Sequence, residues 1–212
     1  MGSCFLLIIA AIMKYISILG ESRSASTGDH GMDDLLNLYR ELGYTSVQNF
    51  LDGVNVLFEG DGSETEQEIS LKITKAIEDK FGFKVPVIAR TVKNIELSIK
   101  ANPFAKIYRT DTKSLHLTML SEVPSEKVLT EIVKVSSPPD EFTIVEKDVF
   151  LHCFGKYEDS KLNTHFFEDK LEVMGATRKW QIVTKLVDTA KRVEKEAAAA
   201  AELAKNTPSN DY

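Results

Sequence analysis

Six residues of this chain are of the types that hold a small anion: Asn55, Ser160, Lys161, Thr177, Arg178 and Lys179. Ser160 and Thr177 open two helix-period segments, at 160–172 and from 177 onward. A helix start offers free N–H groups and the positive end of the helix dipole to negative charge. Lys161 and Lys179 add point charges, and Arg178 adds a planar fork suited to phosphate or carboxylate. The same residues also have a purely structural reading. Ser160 and Thr177 are then simple N-caps, and the basic side chains pair with Glu158, Asp159 and Glu172.

No other grouping reaches a reaction. His152 and Cys153 are neighbours on a strand-like run, so they point to opposite faces and cannot act as base and nucleophile together. Cys153 with His165 lacks any motif, and Cys153 reads as a buried, inert thiol. The four histidines have no zinc-ligand spacing. Asp33-Asp34 and Glu64, Glu66 and Glu68 read as helix N-terminal charge. There is no Walker loop and no Gly-x-Gly-x-x-Gly. No catalytic residue, metal site or cofactor is assigned.

The elements that must position these residues start from the stretch 47–61. Two short β-type runs flank Asp52-Gly53, the pair a tight hairpin favours. A strand over 14–19 precedes it, then a polar loop (20–31) and a helix over 32–42 with Gly43 just beyond its end. His116 alternates with Leu115 and Leu117 and is expected to face away from the core. Ser63 and Glu66 form a capping-box pattern ahead of a helix carrying Ile69, Ile73, Ile77 and Phe81 on one stripe and ending near Gly82. Residues 84–92 read as the closing strand, with Pro86 suited to an edge.

The second half repeats the theme. A helix over 94–101 stops at Asn102-Pro103. A strand (115–120) and a helix (124–135) follow, the latter with Val128, Leu129, Ile132 and Val133 inward. A hairpin (142–145 and 149–154) turns at Lys147-Asp148, and two helices close the chain. The fold class expected is α+β: two ferredoxin-like βαββαβ-type halves in one compact unit, with a projecting C-terminal helix. The division is an apolar extension (1–12), a first half (13–105), a second half (106–192) and an alanine-rich helix with a tail (193–212). Trp180, Val183, Val187 and Ala190 give the last helix an apolar face that ends at Val193. Beyond it, alanine and charge favour helix but leave little to bury.

Composition narrows the class. The 212 residues are 43% hydrophobic and 27% charged, as in ordinary globular proteins. The net charge of −6 argues against a nucleic-acid partner. The apolar run at 5–12 falls well short of the roughly 20 residues that span a bilayer, and it lacks the basic n-region of a signal peptide. Met13 reads as the natural start, since Met-Lys-Tyr-Ile-Ser-Ile-Leu opens directly into a first strand. With only Cys4 and Cys153, no disulfide framework is expected, which fits a cytoplasmic setting.

Several phrases in order resemble a bacterial family of uncharacterised proteins, numbered 1697 among the domains of unknown function. They are Leu42-Gly43 with Val47, Asn55-Val56-Leu57-Phe58, and Phe81-Gly82-Phe83-Lys84-Val85-Pro86-Val87. Asn102-Pro103-Phe104, Ser160-Lys161-Leu162, and Ala176-Thr177-Arg178-Lys179-Trp180 running on to Thr184-Lys185-Leu186 continue the match, which spans 13–190. The resemblance implies a duplicated α+β arrangement and brings no activity with it. Three phrases depart from the family. Gly20-Glu-Ser-Arg-Ser-Ala-Ser26 replaces Arg-Gly-Ile-Asn-Val-Gly-Gly, Gly53-Val54-Asn55-Val56 replaces Ser-Gly-Asn-Val, and Arg178-Lys179-Trp180 replaces Arg-Asn-Trp. A family pocket built from the first loop would be rebuilt or lost here.

The functional expectation is binding of a small anionic ligand, phosphate- or carboxylate-bearing with a nucleotide as one option, near the starts of the last two helices. The alternative is a non-catalytic interaction module using a sheet face or the C-terminal helix. An enzyme on a phosphorylated or carboxylated substrate comes third, for want of a general base.

Overall fold

A computed structural model of the chain describes residues 12–20, 31–50, 55–108 and 112–205. They form two four-stranded antiparallel sheets and seven α-helices. The first sheet takes β1 (Met13–Leu19), β2 (Thr45–Asn49), β3 (Asn55–Gly60) and β4 (Val87–Thr91). Helix α1 (Met32–Glu41) joins β1 to β2, and α2 (Glu66–Phe81) joins β3 to β4. After α3 (Val92–Ala101) and the short α4 (Pro103–Ile107), the second sheet takes β5 (Leu115–Leu120), β6 (Glu141–Val145), β7 (Asp148–His152) and β8 (Gly175–Lys179). Here α5 (Glu126–Ile132) joins β5 to β6, and α6 (Thr164–Leu171) joins β7 to β8. Helix α7 (Trp180–Lys205) leaves β8 directly, as α3 leaves β4.

The strand orders are β2-β3-β1-β4 and β6-β7-β5-β8, so the sheets repeat one topology. The register repeats too. Ile18 faces Asn55 and Leu19 faces Val87 in the first sheet, as Met119 faces Asp148 and Leu120 faces Gly175 in the second.

Three apolar layers hold this together. Tyr15, Tyr39 and Phe58 centre the layer between the first sheet and α1 and α2, with Tyr15 stacked on Phe58 at 5.5 Å. Val149, Leu151, Phe167 and Leu171 fill the layer beneath α5 and α6. Between the sheets, Ile16, Ile18, Leu57 and Ile88 meet Leu115, Leu117, Met119 and Phe150, and Trp180, Val183 and Leu186 of α7 close that layer. Both sheets are thus covered on both faces. For this reason His116, expected outward, is buried at 4% exposure. Polar–apolar alternation points outward only when one face of a sheet is wet.

Other expectations shift for physical reasons. The capping box of α2 is Thr65 and Glu68 rather than Ser63 and Glu66: Thr65 N–H donates to Glu68 Oε2 at 2.7 Å, and Glu68 N–H donates to Thr65 Oγ1 at 3.2 Å. Ser63 instead donates to Asp61, and Glu66 reaches β4. Asn102-Pro103 ends α3 as expected, but Asn102 also caps α4, accepting from Phe104 N–H at 2.9 Å. The second hairpin turns at Glu146-Lys147, with Glu146 at φ 52°. Val133 lies past the end of α5 and is 72% exposed.

The largest correction is β8. Thr177 and Arg178 were expected at a helix start, yet 175–179 pair with β5 and the helix begins at Trp180. Cross-strand pairing and burial override weak local pattern. Gly175 suits the place, since a Cβ there would meet Thr118 Cγ2 at 3.2 Å. Likewise α6 begins at Thr164, not Ser160. Asn163 caps it, and Tyr157–Asp159 form a 3-10 turn ahead of it. The Asp52-Gly53 turn, residues 1–11, most of the 20–31 loop and the tail from 206 lie outside the described residues.

Candidate functional site

Where the two sheets meet, β4 and β8 each carry an arginine at their penultimate position, and each arginine crosses to the other half. Arg178 Nη2 donates to Leu19 O at 2.7 Å, and its Nε donates to Asn55 Oδ1 at 3.0 Å. Arg90 Nη2 donates to Leu120 O at 2.8 Å, and Asp148 Oδ1 lies 3.7 Å from it. By the shared register, Leu19 is equivalent to Leu120, and Asn55 to Asp148. These are reciprocal clamps, each tying a closing strand to the end of the other half's first strand.

The clamps are not used alike. Arg178 spends its third nitrogen on Thr177 O, with Nη1 donating at 2.8 Å. Arg90 is 5% exposed, and its Nη2 also donates to Lys147 O at 3.2 Å. Its Nε and Nη1 make no hydrogen bond to a described residue, and the side chain is 6% exposed. Arg90 lines a cleft of about 490 Å³ between α3 and the β6–β7 turn, together with Asn94, Ser98, Lys100, Lys147 and Asp148. Counted from the arginine, Asn94 and Ser98 of α3 correspond to Ile182 and Leu186 of α7. Leu186 is buried in the layer between the sheets. One side of the molecule is therefore polar where its equivalent is apolar.

The cleft holds balanced charge. Ser98 Oγ donates to Asp148 Oδ2, while Asp148 Oδ1 is buried with no donor. Burial pushes the Asp148 carboxyl above its ordinary range, against the pull of Arg90 and the Ser98 hydroxyl. Glu66 stands behind it, accepting from Thr91 N–H and Asn94 Nδ2 at 2.7 Å each and from Lys147 Nζ at 3.3 Å. Burial alone would raise Glu66. The Thr91 and Asn94 hydrogen bonds, with Arg90 and Lys147 nearby, outweigh burial and hold it below the usual carboxylate range.

The six residues singled out from the sequence separate into groups. Asn55 and Arg178 are joined. Thr177 points to the other face of β8, where its hydroxyl bonds Thr118 at 2.7 Å and Thr164 at 2.8 Å. Ser160 Oγ donates to Asp140 Oδ2 at 2.6 Å and accepts from Leu162 N–H at 3.1 Å. Lys161 and Lys179 are exposed. Arg90, Lys147, Asp148 and Ser98 were missed. Their signal was the second closing strand: once 175–179 is read as a strand, Arg90 and Arg178 become equivalent and their partners can be compared.

Two other features carry no chemistry of their own. His116 stacks on Tyr157 at 4.7 Å beneath a hydroxyl chain running through Thr164, Thr177 and Thr118, and its Nε2 has no partner. Burial, with Lys179 nearby, lowers its pKa, so it is neutral. Cys153 is buried, and burial with Asp140 pushes its thiol up to about 11, which makes it a poor nucleophile. A wider groove of about 730 Å³ runs between the ends of α2 and α6 with Glu78, Asp169 and Glu172 on its walls. Lys84 and Glu168 also line it, and Glu168 Oε1 accepts from Gly175 N–H at 3.0 Å. Among the described residues, no three His, Cys, Asp or Glu side chains are placed to hold a metal ion. No described helix is long and apolar enough to cross a membrane.

Comparison with known proteins places the architecture. A solved structure of a conserved bacterial protein from Streptococcus pneumoniae superposes with a TM-score of 0.64 at 12% identity, covering 84% of this chain and 98% of that one. At that identity the likeness shows the fold alone. A search of curated proteins found no match. The family model described as protein of unknown function (DUF1697) matches residues 13–150, which takes in both arginine-bearing junctions' partners up to Phe150 but not β8. Since that match covers more than half of the sequence, the chain belongs to the DUF1697 family.

Proposed function

We propose that this protein binds a small anionic ligand in the cleft between its halves, with Arg90 at the floor. The observation that carries this is a nine-tenths-buried arginine that lines a walled cleft and whose Nε and Nη1 have no acceptor among the described residues. Desolvated donors of this kind bind carboxylate or phosphate oxygens strongly. Lys100 and Lys147 add positive charge at the rim. The grouping of Asn55, Ser160, Lys161, Thr177, Arg178 and Lys179 is the weaker place for the ligand, because Arg178 already has three protein acceptors.

The strand order and the strand–helix–strand–strand–helix–strand sequence of each half support reading both as ferredoxin-like. A buried free thiol at Cys153 suits a reducing compartment such as the cytoplasm. The test is calorimetric titration of the chain with short carboxylates and inorganic phosphate, repeated on Lys100→Glu. Lys100 is exposed, so its charge reversal spares the fold. Saturable binding that weakens about tenfold or more in Lys100→Glu is expected. Absence of saturable binding, or binding indifferent to that change, contradicts the proposal.

A further inference from the structure

The two halves treat the open edges of their sheets differently. By the strand orders, β2 ends the first sheet and β6 ends the second, while β4 and β8 meet at the junction. An open edge carries unpaired N–H and C=O groups that invite another strand unless the chain blunts it. The β2 edge is blunted. Its register shifts between Thr45 and Gln48, Ser46 sits at φ 50°, and Arg40 Nη2 donates to Val47 O at 3.3 Å. A bulge of this kind twists the edge away from a partner.

The β6 edge has none of these devices. It reads Glu-Phe-Thr-Ile-Val, without lysine or proline, and pairs with β7 at every position from Glu141 to Val145 with no register shift. Cys153 N–H donates to Ser114 O and Leu120 N–H to Lys147 O, so the odd-numbered residues of β7 bond to β5. Its even-numbered residues therefore bond to β6, at Glu141, Thr143 and Val145. That turns the backbone groups of Phe142 and Ile144 away from the sheet, and no hydrogen bond joins them to another described element. Their side chains are only partly buried against the layer beneath α5 and α6. On the blunted edge, Val47 is buried at 8% exposure.

This open edge is its own complement. An antiparallel partner must set outward-facing residues opposite each other. With two β6 strands meeting about a twofold axis at Thr143, Phe142 of each copy stands opposite Ile144 of the other. Four backbone hydrogen bonds then form, and Glu141 faces Val145 instead of a second carboxylate. Sliding by two residues forfeits this. It sets Ile144 against Asp140, or Phe142 against Glu146, both outside the strand.

We infer that β6 joins two copies of this chain, edge to edge and antiparallel about Thr143, into one eight-stranded sheet. A self-complementary patch is what a twofold dimer needs. The two Phe142–Ile144 pairs also cover apolar groups that each copy alone leaves partly exposed. The inference stands apart from the ligand reading.

The test is sedimentation equilibrium of the full chain across the micromolar range, joined to cysteine cross-linking. Thr143 is only partly buried, so Thr143→Lys spares the fold while setting two like charges face to face. The parent is expected to be a dimer in exchange with monomer. Thr143→Lys is expected to weaken that dimer about tenfold or more, with an unchanged circular dichroism spectrum. In a Cys4→Ser background, Thr143→Cys is expected to form a disulfide-linked dimer on mild oxidation. Facing residues of that kind lie about 4.5 Å apart at Cα, within disulfide reach. Val145→Cys, whose two copies would lie roughly 14 Å apart in this register, is expected not to cross-link. A monomeric parent, a dimer indifferent to Thr143→Lys, or cross-linking at 145 in preference to 143 overturns the inference. A monomer that pairs β6 with a foreign strand overturns it as well.

Discussion

The Arg90 and Arg178 clamps occupy equivalent places in two sheets of one topology, yet they have different work. Arg178 uses all three nitrogens on protein acceptors and faces a neutral amide. Arg90 faces a carboxylate, at a longer distance, and has two nitrogens without an acceptor among the described residues. The charged pair is thus the looser one. Burying an ion pair costs desolvation that attraction does not fully return, and burial of Asp148 shows in its raised pKa. A neutral clamp suffices to join the halves. The charged, incompletely satisfied one is the side where stability has been given up, as the proposed ligand site would require.

The comparison breaks first at Arg178. Arg178→Ala strands Leu19 O and the Asn55 amide oxygen, and should cost about 3 kcal/mol in urea unfolding. Arg90→Met should cost about as much at neutral pH, roughly 3 kcal/mol, since it leaves the buried Asp148 carboxylate without its cation. That cost should shrink on acidification, because Asp148 escapes an uncompensated charge by taking up a proton. Asp148 sharpens the point. Its folded pKa lies above the ordinary 3.8, so its contribution is fully present below that value and is lost as pH rises through the folded pKa. Asp148→Asn should therefore raise the neutral-pH melting temperature and flatten the pH profile at its acidic end.

Under the second sheet, His116 has its pKa lowered from 6.5, so it contributes stability above that value that is lost as pH falls through the folded pKa. His116→Phe keeps a ring on Tyr157 and should remove that acid sensitivity as pH falls below 6.5. The smallest effect compares helix ends. Helix α2 ends on Gly82 at φ 76°, and α6 ends on Glu172 at φ 58°. Glu172→Gly should stabilise by about 0.5–1 kcal/mol, since glycine adopts that left-handed conformation without strain. Thermal melts would register either sign.

Much of the fold was legible where burial and local chemistry agree. The 115–120 run became β5 with the same bounds, and Ile69, Ile73 and Ile77 line the buried stripe of α2. The Gly82 and Asn102-Pro103 stops also fall where turn chemistry put them. What failed was set by tertiary pairing. Gly175–Lys179 has neither alternation nor β-branched density, and only its partner β5 makes it a strand. That one omission moved Thr177 and Arg178 onto a helix start and concealed the equivalence of Arg90 and Arg178. The anion site therefore rested on two side chains that the structure places on opposite faces of a strand. Arg178 was singled out for its charge, but charge does not reveal whether a guanidinium's donors are already taken.

The central claim, that Arg90 is the arginine open to a ligand and Arg178 is a structural clamp, can be read directly from the arginine Nε–H resonances. Acetate and inorganic phosphate would be titrated into labelled protein, and the Arg90 and Arg178 signals, assigned by Arg90→Lys and Arg178→Lys, would be followed. A saturable shift of the Arg90 signal with Arg178 unmoved is the predicted result. Movement of Arg178 with Arg90 still, or no movement of either, would contradict it.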